Sequence, residues 1–417
     1  MHPKHLRIED YTYSLPQERI AIYPLQQRGA SKLLVYSNGQ ITDAAHKDIY
    51  GHIPRGSLMV FNKTKVVHAR LLFKKPTGGI IEIFCLEPHQ QYHSMQAAME
   101  QQGKVLWKCM IGGASKWKHG QVLTLFHEQP AFTLSVAIAE KQQDGYLVEL
   151  SWDDTRLTFA EILHYAGKVP LPPYLNREAD INDEDRYQTA FAENEGSVAA
   201  PTASLHFTED TLSNILKAGI ETAYLTLHVG AGTFMPVKSE TMEGHGMHAE
   251  WMDVSLDEII KIADHLDKGI IAVGTTAART LESLYWIGAK IINAQPVNWA
   301  GIAVTQWDPY ESDLHITAVN ALNALIKWML DNNRDNLLTR TQIMIAPGYQ
   351  FKIINGLVTN FHQPRSTLLL LVAAFIGDDW KKVYTHALES NYRFLSYGDG
   401  SLLWKERLNV KKTLPPY

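Results

Sequence analysis

Four histidines concentrated between residues 206 and 248 are candidates for acid–base or metal chemistry. They are His206, His228, His245 and His248. A neutral imidazole acts as a base near pH 7 or binds zinc. The pair in GHGMHAEW lies three residues apart and lacks the HExxH pattern of a metalloprotease. Metal binding is therefore not favoured, and each of these histidines taken singly is more often a hydrogen-bonded structural residue than a catalyst.

Small residues accompany two of these histidines. The stretch AAPTASLHFT (199–208) leads to His206, and TLHVGAGTFMPV (226–237) contains His228. Glycines such as Gly230 and Gly232 have no Cβ, so their backbone amides can approach a ligand closely. Both a ligand loop and a tight structural turn are compatible with this pattern.

The segment GIIAVGTTAARTLES (269–283) has the form of a buried strand followed by a helix. The strand is expected to end at Gly274, with Thr275 and Thr276 at the start of the helix. Threonine hydroxyls commonly cap a helix. The N–H groups of the first turn can also bind an anion, and Arg279 is close enough in sequence to contact the same anion. Capping and anion binding both remain open.

Two basic segments are suited to contacts with the nucleic-acid backbone. These are YPLQQRGASKLLV (23–35), with Arg28 and Lys32, and FNKTKVVHAR (61–70), with Lys65 and Arg70. Such side chains position a nucleic acid without reading its sequence. The alternative is ordinary solvated surface charge.

The strand and helix patterns divide the chain into two domains. Residues 1–66 and 151–417 predict an α/β domain, with a hairpin at Asn38-Gly39. Residues 67–150 instead carry short β-rich runs at the spacing of an antiparallel barrel. We therefore expect an α/β main domain with an inserted antiparallel β-barrel domain. Near the C-terminus, FKIINGLVTNF predicts a second hairpin around Asn355-Gly356, and Pro364 precedes the apolar helix STLLLLVAAFIG.

Composition limits the class of protein. The chain has 417 residues, 45% hydrophobic, with a formal net charge of −5, so it can bury a large core and is not suited to indiscriminate nucleic-acid binding. Its two cysteines, Cys85 and Cys109, provide neither a disulfide framework nor the thiolates of an iron–sulfur cluster. The N-terminus lacks a signal-peptide core, and the longest apolar run, 368–376, is too short to span a bilayer. A cytoplasmic protein is expected.

Ordered blocks along almost the whole chain resemble the S-adenosylmethionine:tRNA ribosyltransferase-isomerase family of queuosine biosynthesis. The blocks are DYTYSLPQERIAIYPLQQRGASKLLV, LMVFNKTKVVHARL, VPLPPYL, DRYQT, GSVAAPTASLHFT, TLHVGAGTFMPV, MHAEW, VGTTAARTLES, PGYQFKIINGLVTNFHQPRSTLLLLV and YRFLSYGDGSLL. The resemblance implies a large α/β domain with a smaller inserted β-barrel.

The resemblance also implies a reaction. The ribosyl part of S-adenosylmethionine moves to the 7-aminomethyl-7-deazaguanine of a tRNA anticodon and is isomerised to the epoxide, with release of adenine and methionine. S-adenosylmethionine is then a substrate, and no further cofactor or metal is implied. The sulfonium acidifies the neighbouring C5′ protons, so a base is needed, and the leaving adenine must be protonated.

The implied site residues fall into three groups. His206 and His228 are the candidate catalytic residues, with base and acid unassigned. The candidates for binding S-adenosylmethionine are Thr202, Ser204, Gly230, Gly232, Thr233, His248, Glu250, Thr275, Thr276 and Arg279. The candidates for tRNA contact are Arg28, Lys32, Lys65 and Arg70, and the expected form is a monomer.

Some positions depart from the family pattern. Ser204 occupies a place that is usually glycine, Gln363 one that is commonly apolar, and Lys65 one that is typically arginine. A lysine does not reproduce the arginine fork. These departures leave three rivals open: a related enzyme with another acceptor, a non-catalytic tRNA-binding paralogue, and a histidine-ligated metallohydrolase that would carry stoichiometric zinc.

Overall fold

The computed structural model describes residues 2–75, 78–118, 120–230, 237–299, 301–311 and 315–405. The strands are β1 (Lys32–Ser37), β2 (Gln40–Ala45), β3 (Leu58–Asn62), β4 (Thr64–Val66), β5 (Arg70–Lys74), β6 (Ile80–Pro88), β7 (Lys104–Gly112), β8 (Leu123–Glu128), β9 (Ala131–Gln142), β10 (Gly145–Trp152), β11 (Gly167–Lys168), β12 (Asn194–Ser197), β13 (Glu221–Leu227), β14 (Glu250–Ser255), β15 (Ile270–Val273), β16 (Ile302–Val304), β17 (Asn336–Thr341), β18 (Gly356–Asn360) and β19 (Gly400–Trp404).

The helices of the same residues are α1 (Met95–Met99), α2 (Phe159–Ala166), α3 (Ile181–Arg186), α4 (Glu209–Lys217), α5 (Leu256–Ala263), α6 (Thr275–Ile292), α7 (Asp308–Glu311), α8 (Ala318–Asp331), α9 (Thr367–Ile376) and α10 (Asp379–Glu389). Short 3₁₀ turns join several of them. Within this described part, no helix is both long and apolar enough to cross a membrane.

A ten-stranded mixed sheet forms the main body of the described chain, in the order β16-β17-β14-β13-β3-β15-β18-β19-β1-β2. Its centre is parallel, because β13, β3, β15 and β18 run side by side in one direction. Strands β3, β15 and β18 are buried at every position, as expected for strands covered on both faces. Separate buried clusters lie on the two faces, and the larger one includes α6, α8 and α9.

The second large sheet is antiparallel and has seven strands in the described residues, in the order β11-β5-β6-β7-β10-β9-β8. Strand β5 lies against β8, so the sheet curls into a half-barrel around its own core. The short β-rich runs predicted between residues 67 and 150 are confirmed, since this region forms β5 to β10. The short strand β11, at Gly167–Lys168, also belongs to this sheet through its pairing with β5.

The hairpin predicted at Asn38-Gly39 is confirmed. Strands β1 and β2 pair antiparallel with Ser37 opposite Gln40. The two turn residues have φ values of 49° and 76°, a left-handed conformation that asparagine and glycine tolerate best. Pro364 and the apolar helix are likewise found as predicted, with Ser366 capping α9.

The hairpin predicted around Asn355-Gly356 is wrong. Only the second run forms a strand, β18, which pairs with β15 and β19. The backbone N–H groups of Ile353 and Ile354 instead donate to the buried carboxylate of Glu282 on α6. Because these two N–H groups donate to a side chain, the first run (FKII) does not form the backbone hydrogen bonds of a strand.

Cys85 and Cys109 are remote in sequence and adjacent in the structure. They occupy directly paired positions on β6 and β7, and both are free and buried. Burial raises the pKa of the Cys109 thiol well above its ordinary value. Thiolate reactivity is therefore suppressed at this position.

Candidate active site

The carboxyl ends of the central parallel strands converge at one edge of the main sheet. His228 directly follows β13, Thr64 lies just beyond β3, and Thr275 begins the helix that follows β15. Ligands of open α/β sheets bind in crevices outside these strand ends. The fold thus brings residues from distant blocks of the sequence to one edge.

A small cavity of about 80 Å³ lies at this edge, between the main sheet and the antiparallel sheet. The main-sheet side contributes Gly196, His228, Gly230, His248, Glu250 and Trp251. The other side contributes residues from the half-barrel and the segments around it, including Glu87, Met95, Lys108 and Asp144. Both sheets therefore build the cavity wall.

Charged side chains link the two sheets beside this cavity. Lys108 Nζ lies 3.2 Å from Glu87 Oε1 and 2.9 Å from Asp144 Oδ2. The other oxygen of Glu87 lies 3.0 Å from Arg340 Nη2, and Arg340 covers the ring of Trp251 at 5.0 Å. Hydrogen bonding and charge attraction from Lys108 lower the pKa of Asp144. This network holds the half-barrel side of the cavity against the main sheet.

His228 is oriented by its hydrogen bond to Thr64. Its Nδ1 lies 2.9 Å from Thr64 Oγ1, and that hydroxyl also donates to the carbonyl of Asn194 at 3.4 Å. Because the Thr64 hydroxyl donates its proton to that carbonyl, Thr64 Oγ1 accepts a hydrogen bond from Nδ1–H of His228. The unprotonated ring nitrogen of His228 is therefore Nε2. Within the described residues Nε2 has no hydrogen-bond partner. Burial lowers the pKa of His228 to about 4, so the ring is neutral at pH 7.

Gly196 makes room for the His228 ring. Its φ is 138°, and a Cβ at this position would lie 2.2 Å from Met95 Cγ and 3.0 Å from His228 Nδ1. Any side chain here would displace the imidazole or the methionine. The glycine of the GSVAAPTAS block is therefore required by close packing at the cavity.

Glu250 and Arg279 form a buried ion pair beside His228. Glu250 Oε2 bonds to Arg279 Nη1, and Glu250 Oε1 accepts from the backbone N–H of Gly230 at 3.3 Å. Arg279 also donates from Nε to the carbonyl of Ile343 at 3.2 Å. Its remaining nitrogen, Nη2, is buried and has no hydrogen-bond partner within the described residues.

The start of α6 is not capped by a side chain, so the capping role for Thr275 and Thr276 is not found. The N-cap residue is Gly274, with φ 94° and ψ 156°, and no side chain accepts from the first turn. Thr276 Oγ1 is itself buried without a partner. Within the described part of the chain, the first-turn N–H groups of this helix therefore have no side-chain acceptor at the carboxyl end of β15.

His206 is engaged at both ring nitrogens. Its Nε2 lies 3.1 Å from Asn360 Oδ1, and its Nδ1 lies 3.0 Å from Ser31 Oγ. Because Asn360 Nδ2 donates to two backbone carbonyls, its Oδ1 accepts from Nε2–H. Burial lowers the pKa of His206 to about 4. The ring also packs against His46 at 4.6 Å between centroids. The imidazole is thus neutral and tied to the protein.

The other histidines and predicted binding residues differ in burial and in their distance from the cavity. His248 is exposed at the cavity rim, His245 is half-buried, and Thr202 is half-buried in a 3₁₀ turn. Gly232 and Thr233 lie outside the described residues. Across the described ranges, no group of three or more His, Cys, Asp or Glu side chains is arranged to hold a metal ion.

Ser204 is fully buried, and its hydroxyl has no hydrogen-bond partner in the part of the chain that the structure describes. We expect Ser204→Ala to change the free energy of unfolding by less than about 1 kcal/mol, because no hydrogen bond is lost and an unsatisfied polar atom is removed. Chemical denaturation of both proteins measures this difference. A loss of more than about 2 kcal/mol would show that the hydroxyl has a partner in solution.

The four basic candidates for tRNA contact all have partners within the chain. Arg28 donates to the carbonyls of Gln188 and Asp185, and Lys32 to that of Ser390. Lys65 pairs with Glu195 at 2.8 Å and Arg70 with Glu82 at 2.9 Å. Arg28 and Lys65 thus contact one segment, 185–195, while Lys32 and Arg70 contact other parts of the chain. Lys65 is the most exposed of those paired with a carboxylate.

Several site residues were not predicted. Thr64 and Asn360, which set the tautomers of the two histidines, lie in the quoted FNKTKVVHAR and FKIINGLVTNF blocks without a distinguishing pattern. Met95, Lys108 and Asp144 come from a region assigned only a barrel fold. No sequence signal links them to His228, because their contact depends on how the two sheets pack.

Comparisons with known proteins identify related chains over nearly the full length. A family model described as "Queuosine biosynthesis protein" matches residues 8–403. A protein of Chlorobaculum parvum is 37% identical over 404 residues, covering 95% of this chain and 100% of its own. A protein of Magnetococcus marinus is 35% identical over 403 residues, which cover 96% of this chain and 94% of the relative. A protein of Legionella pneumophila is 37% identical over 401 residues, which cover 95% of this chain and 99% of the relative.

These three relatives carry the same name, S-adenosylmethionine:tRNA ribosyltransferase-isomerase. A crystal structure of an S-adenosylmethionine tRNA ribosyltransferase from Thermotoga maritima is 26% identical to this chain. It aligns over 94% of this chain and 99% of that one, with a TM-score of 0.45.

Proposed function

The chain belongs to the queuosine biosynthesis protein family, and from this membership we propose that it is an S-adenosylmethionine:tRNA ribosyltransferase-isomerase. The observation that carries the proposal is the match over residues 8–403 together with relatives of that name along their whole length. The cavity at the carboxyl edge of the main sheet is the proposed site of reaction.

The reaction moves the ribosyl part of S-adenosylmethionine to the aminomethyl group of a 7-deazaguanine in tRNA and isomerises it to the epoxide. Removal of a C5′ proton next to the sulfonium gives an ylide, and adenine and methionine leave in later steps. The protein must therefore supply a base for that proton and a proton donor for adenine. S-adenosylmethionine serves as the substrate.

We assign the base to His228. It lies at the cavity, its Nε2 has no hydrogen-bond partner among the described residues, and the hydrogen bond from Nδ1 to Thr64 fixes the tautomer that accepts a proton at Nε2. The neutral ring does not repel the sulfonium cation. Protonation during the reaction places a positive charge near the carboxylate of Glu250, which stabilises it.

His206 is assigned a positioning role in place of direct proton transfer. Both of its nitrogens are held by Ser31 and Asn360, and a bond to substrate would require one of these to break. The ring instead ties the AAPTASLHFT segment to the end of β18. The small residues of that segment pack on the start of α6, where Ala203 lies 3.7 Å from the position of a Cβ on Gly274.

The remaining parts of the proposal concern architecture and partners. The half-barrel acts as an inserted domain of residues 67–150 that closes the cavity from one side. The tRNA approaches this face as the acceptor, with Arg28, Lys32, Lys65 and Arg70 as backbone contacts, and the active form is a monomer. S-adenosylmethionine occupies the region of Gly230, His248, Glu250 and the start of α6, with Thr202 and Ser204 as further candidates for its contacts. Gly232 and Thr233 lie outside the described residues.

Adenine release tests the function directly. The full chain is incubated with S-adenosylmethionine and tRNA bearing 7-aminomethyl-7-deazaguanine, and adenine and the modified nucleoside are followed by chromatography and mass spectrometry. We expect stoichiometric release that depends on this tRNA. Binding of tRNA without adenine release, or release only with a different acceptor, would contradict the proposal.

The pH dependence of kcat/KM reports on the base. His228 accepts a proton only when neutral, so activity is retained above its pKa and lost as the pH falls through it. Because burial lowers this pKa to about 4, we expect kcat/KM to stay flat down to about pH 5 and to fall near pH 4. Circular dichroism at each pH controls for unfolding. An acid limb near 6.5, the ordinary histidine value, would contradict the assignment.

A further inference from the structure

The buried guanidinium of Arg279 has one unsatisfied donor. The residue is only 6% exposed, and two of its nitrogens are used by Glu250 and Ile343. Its Nη2 has no hydrogen-bond partner among the residues that the structure describes. An unmade hydrogen bond of a buried charged donor costs more than that of a neutral group. A ligand oxygen at this nitrogen would remove that cost.

The start of α6 adds donors close to this arginine in the chain. Across the described ranges, Thr276 Oγ1 is buried without a hydrogen-bond partner, and the first turn has no side-chain cap. Side chains on a helix lean toward its N-terminus, so Arg279 reaches back toward this first turn. The Thr276 hydroxyl, the N–H groups of the first turn of α6 and Arg279 Nη2 are all hydrogen-bond donors. Together they favour the binding of an anionic oxygen.

The neighbouring carboxylate limits which anion fits. Glu250 lines the cavity and is bonded to the same guanidinium. A phosphate dianion beside Glu250 would meet like charge at close range. A zwitterion avoids this repulsion, because its cationic group pairs with Glu250 while its carboxylate pairs with Arg279.

We infer that Glu250 and Arg279 bind the amino-acid end of S-adenosylmethionine. The α-carboxylate bonds to Arg279 Nη2 and to Thr276 at the start of α6, and the α-ammonium bonds to Glu250. The inference rests on the proposed function and identifies which end of that substrate lies at α6. It also places the sulfonium, which is joined to this end by two methylene groups, on the His228 side of Glu250.

Decarboxylated S-adenosylmethionine tests the carboxylate contact. Calorimetry gives the dissociation constants of both compounds for the full chain. We expect the wild-type protein to bind the decarboxylated compound about 10- to 100-fold more weakly, the range for hydrogen bonds to a charged group. In Arg279→Gln and in Thr276→Val, this ratio falls to within about 3-fold, mainly because S-adenosylmethionine itself binds more weakly.

Arg156→Gln is the matched control, because this arginine is 89% exposed and pairs only with a local aspartate. It should keep the wild-type ratio. An unchanged ratio in Thr276→Val and Arg279→Gln would overturn the inference, as would equal binding of both compounds by the wild-type protein. If Arg279→Gln does not fold, Thr276→Val decides alone. Absence of adenine release despite a normal ratio would overturn the proposed function and leave this contact standing.

Discussion

Replacing His228 by glutamine is expected to lower the rate of adenine release by about 10²- to 10⁴-fold, the usual contribution of a general base. Glutamine keeps a polar group near Thr64 and has no basic nitrogen to take the C5′ proton. The position is at the cavity, so we expect the free energy of unfolding to change by no more than about 1 kcal/mol. Single-turnover measurement of adenine with saturating S-adenosylmethionine isolates the chemical step.

Two further variants sharpen this prediction. His5→Gln, at an exposed histidine in the N-terminal 3₁₀ turn, should retain full activity. Thr64→Val removes the partner of Nδ1 and should lower the rate less than His228→Gln, because the base remains but its tautomer is no longer fixed. Activity of His228→Gln within about 3-fold of wild type would exclude this residue as the base.

Replacing Glu282 by alanine is expected to lower the free energy of unfolding by about 4 kcal/mol. The carboxylate is fully buried and accepts four hydrogen bonds, from the Tyr349 hydroxyl and the backbone N–H groups of Lys352, Ile353 and Ile354. Each donor left unpaired inside the protein costs about 1–3 kcal/mol, reduced where water or local relaxation replaces the bond. Urea denaturation followed by tryptophan fluorescence measures the loss.

Glu178→Gln is the control for this prediction, since its carboxylate is 87% exposed and lies 3.5 Å from Lys168. A surface pair of this kind contributes at most about 1 kcal/mol. Glu282→Gln keeps the volume and one acceptor oxygen, so its loss should lie between the two. A loss below about 1 kcal/mol for Glu282→Ala would mean that the 352–354 turn holds its shape without the carboxylate.

The Glu282 contact also explains why one local prediction was correct and a similar one was wrong. Asn38-Gly39 and Asn355-Gly356 are both strong hairpin signals. At the first, the flanking runs pair with each other and the turn decides the structure. At the second, Asn355 bonds to Ile270 of β15, and the preceding N–H groups bind a helix side chain. Hydrogen bonds to residues distant in the sequence are therefore formed at Asn355-Gly356 in place of those of a hairpin.

A comparable distinction separates the two candidate histidines. In the sequence, His206 and His228 both stand among small residues in family-like blocks. The structure gives His206 two side-chain partners, whereas Nε2 of His228 has none in the described part of the chain. Those partners, Ser31, Asn360 and Thr64, come from three distant segments. Spacing along the chain therefore does not distinguish a restrained imidazole from an available one.

The sequence by itself determined the strands of the half-barrel, the strand and helix on either side of Gly274, the family and the blocks that contain the proposed site. These features depend on local periodicity, turn residues and quoted motifs, all of which are encoded in neighbouring positions. The tertiary structure alone decided the Glu250–Arg279 pair, the tautomer of His228, the uncapped start of α6 and the half-barrel side of the cavity. Each of these depends on which distant side chain meets a given donor or acceptor, and that is fixed only when the two sheets pack together.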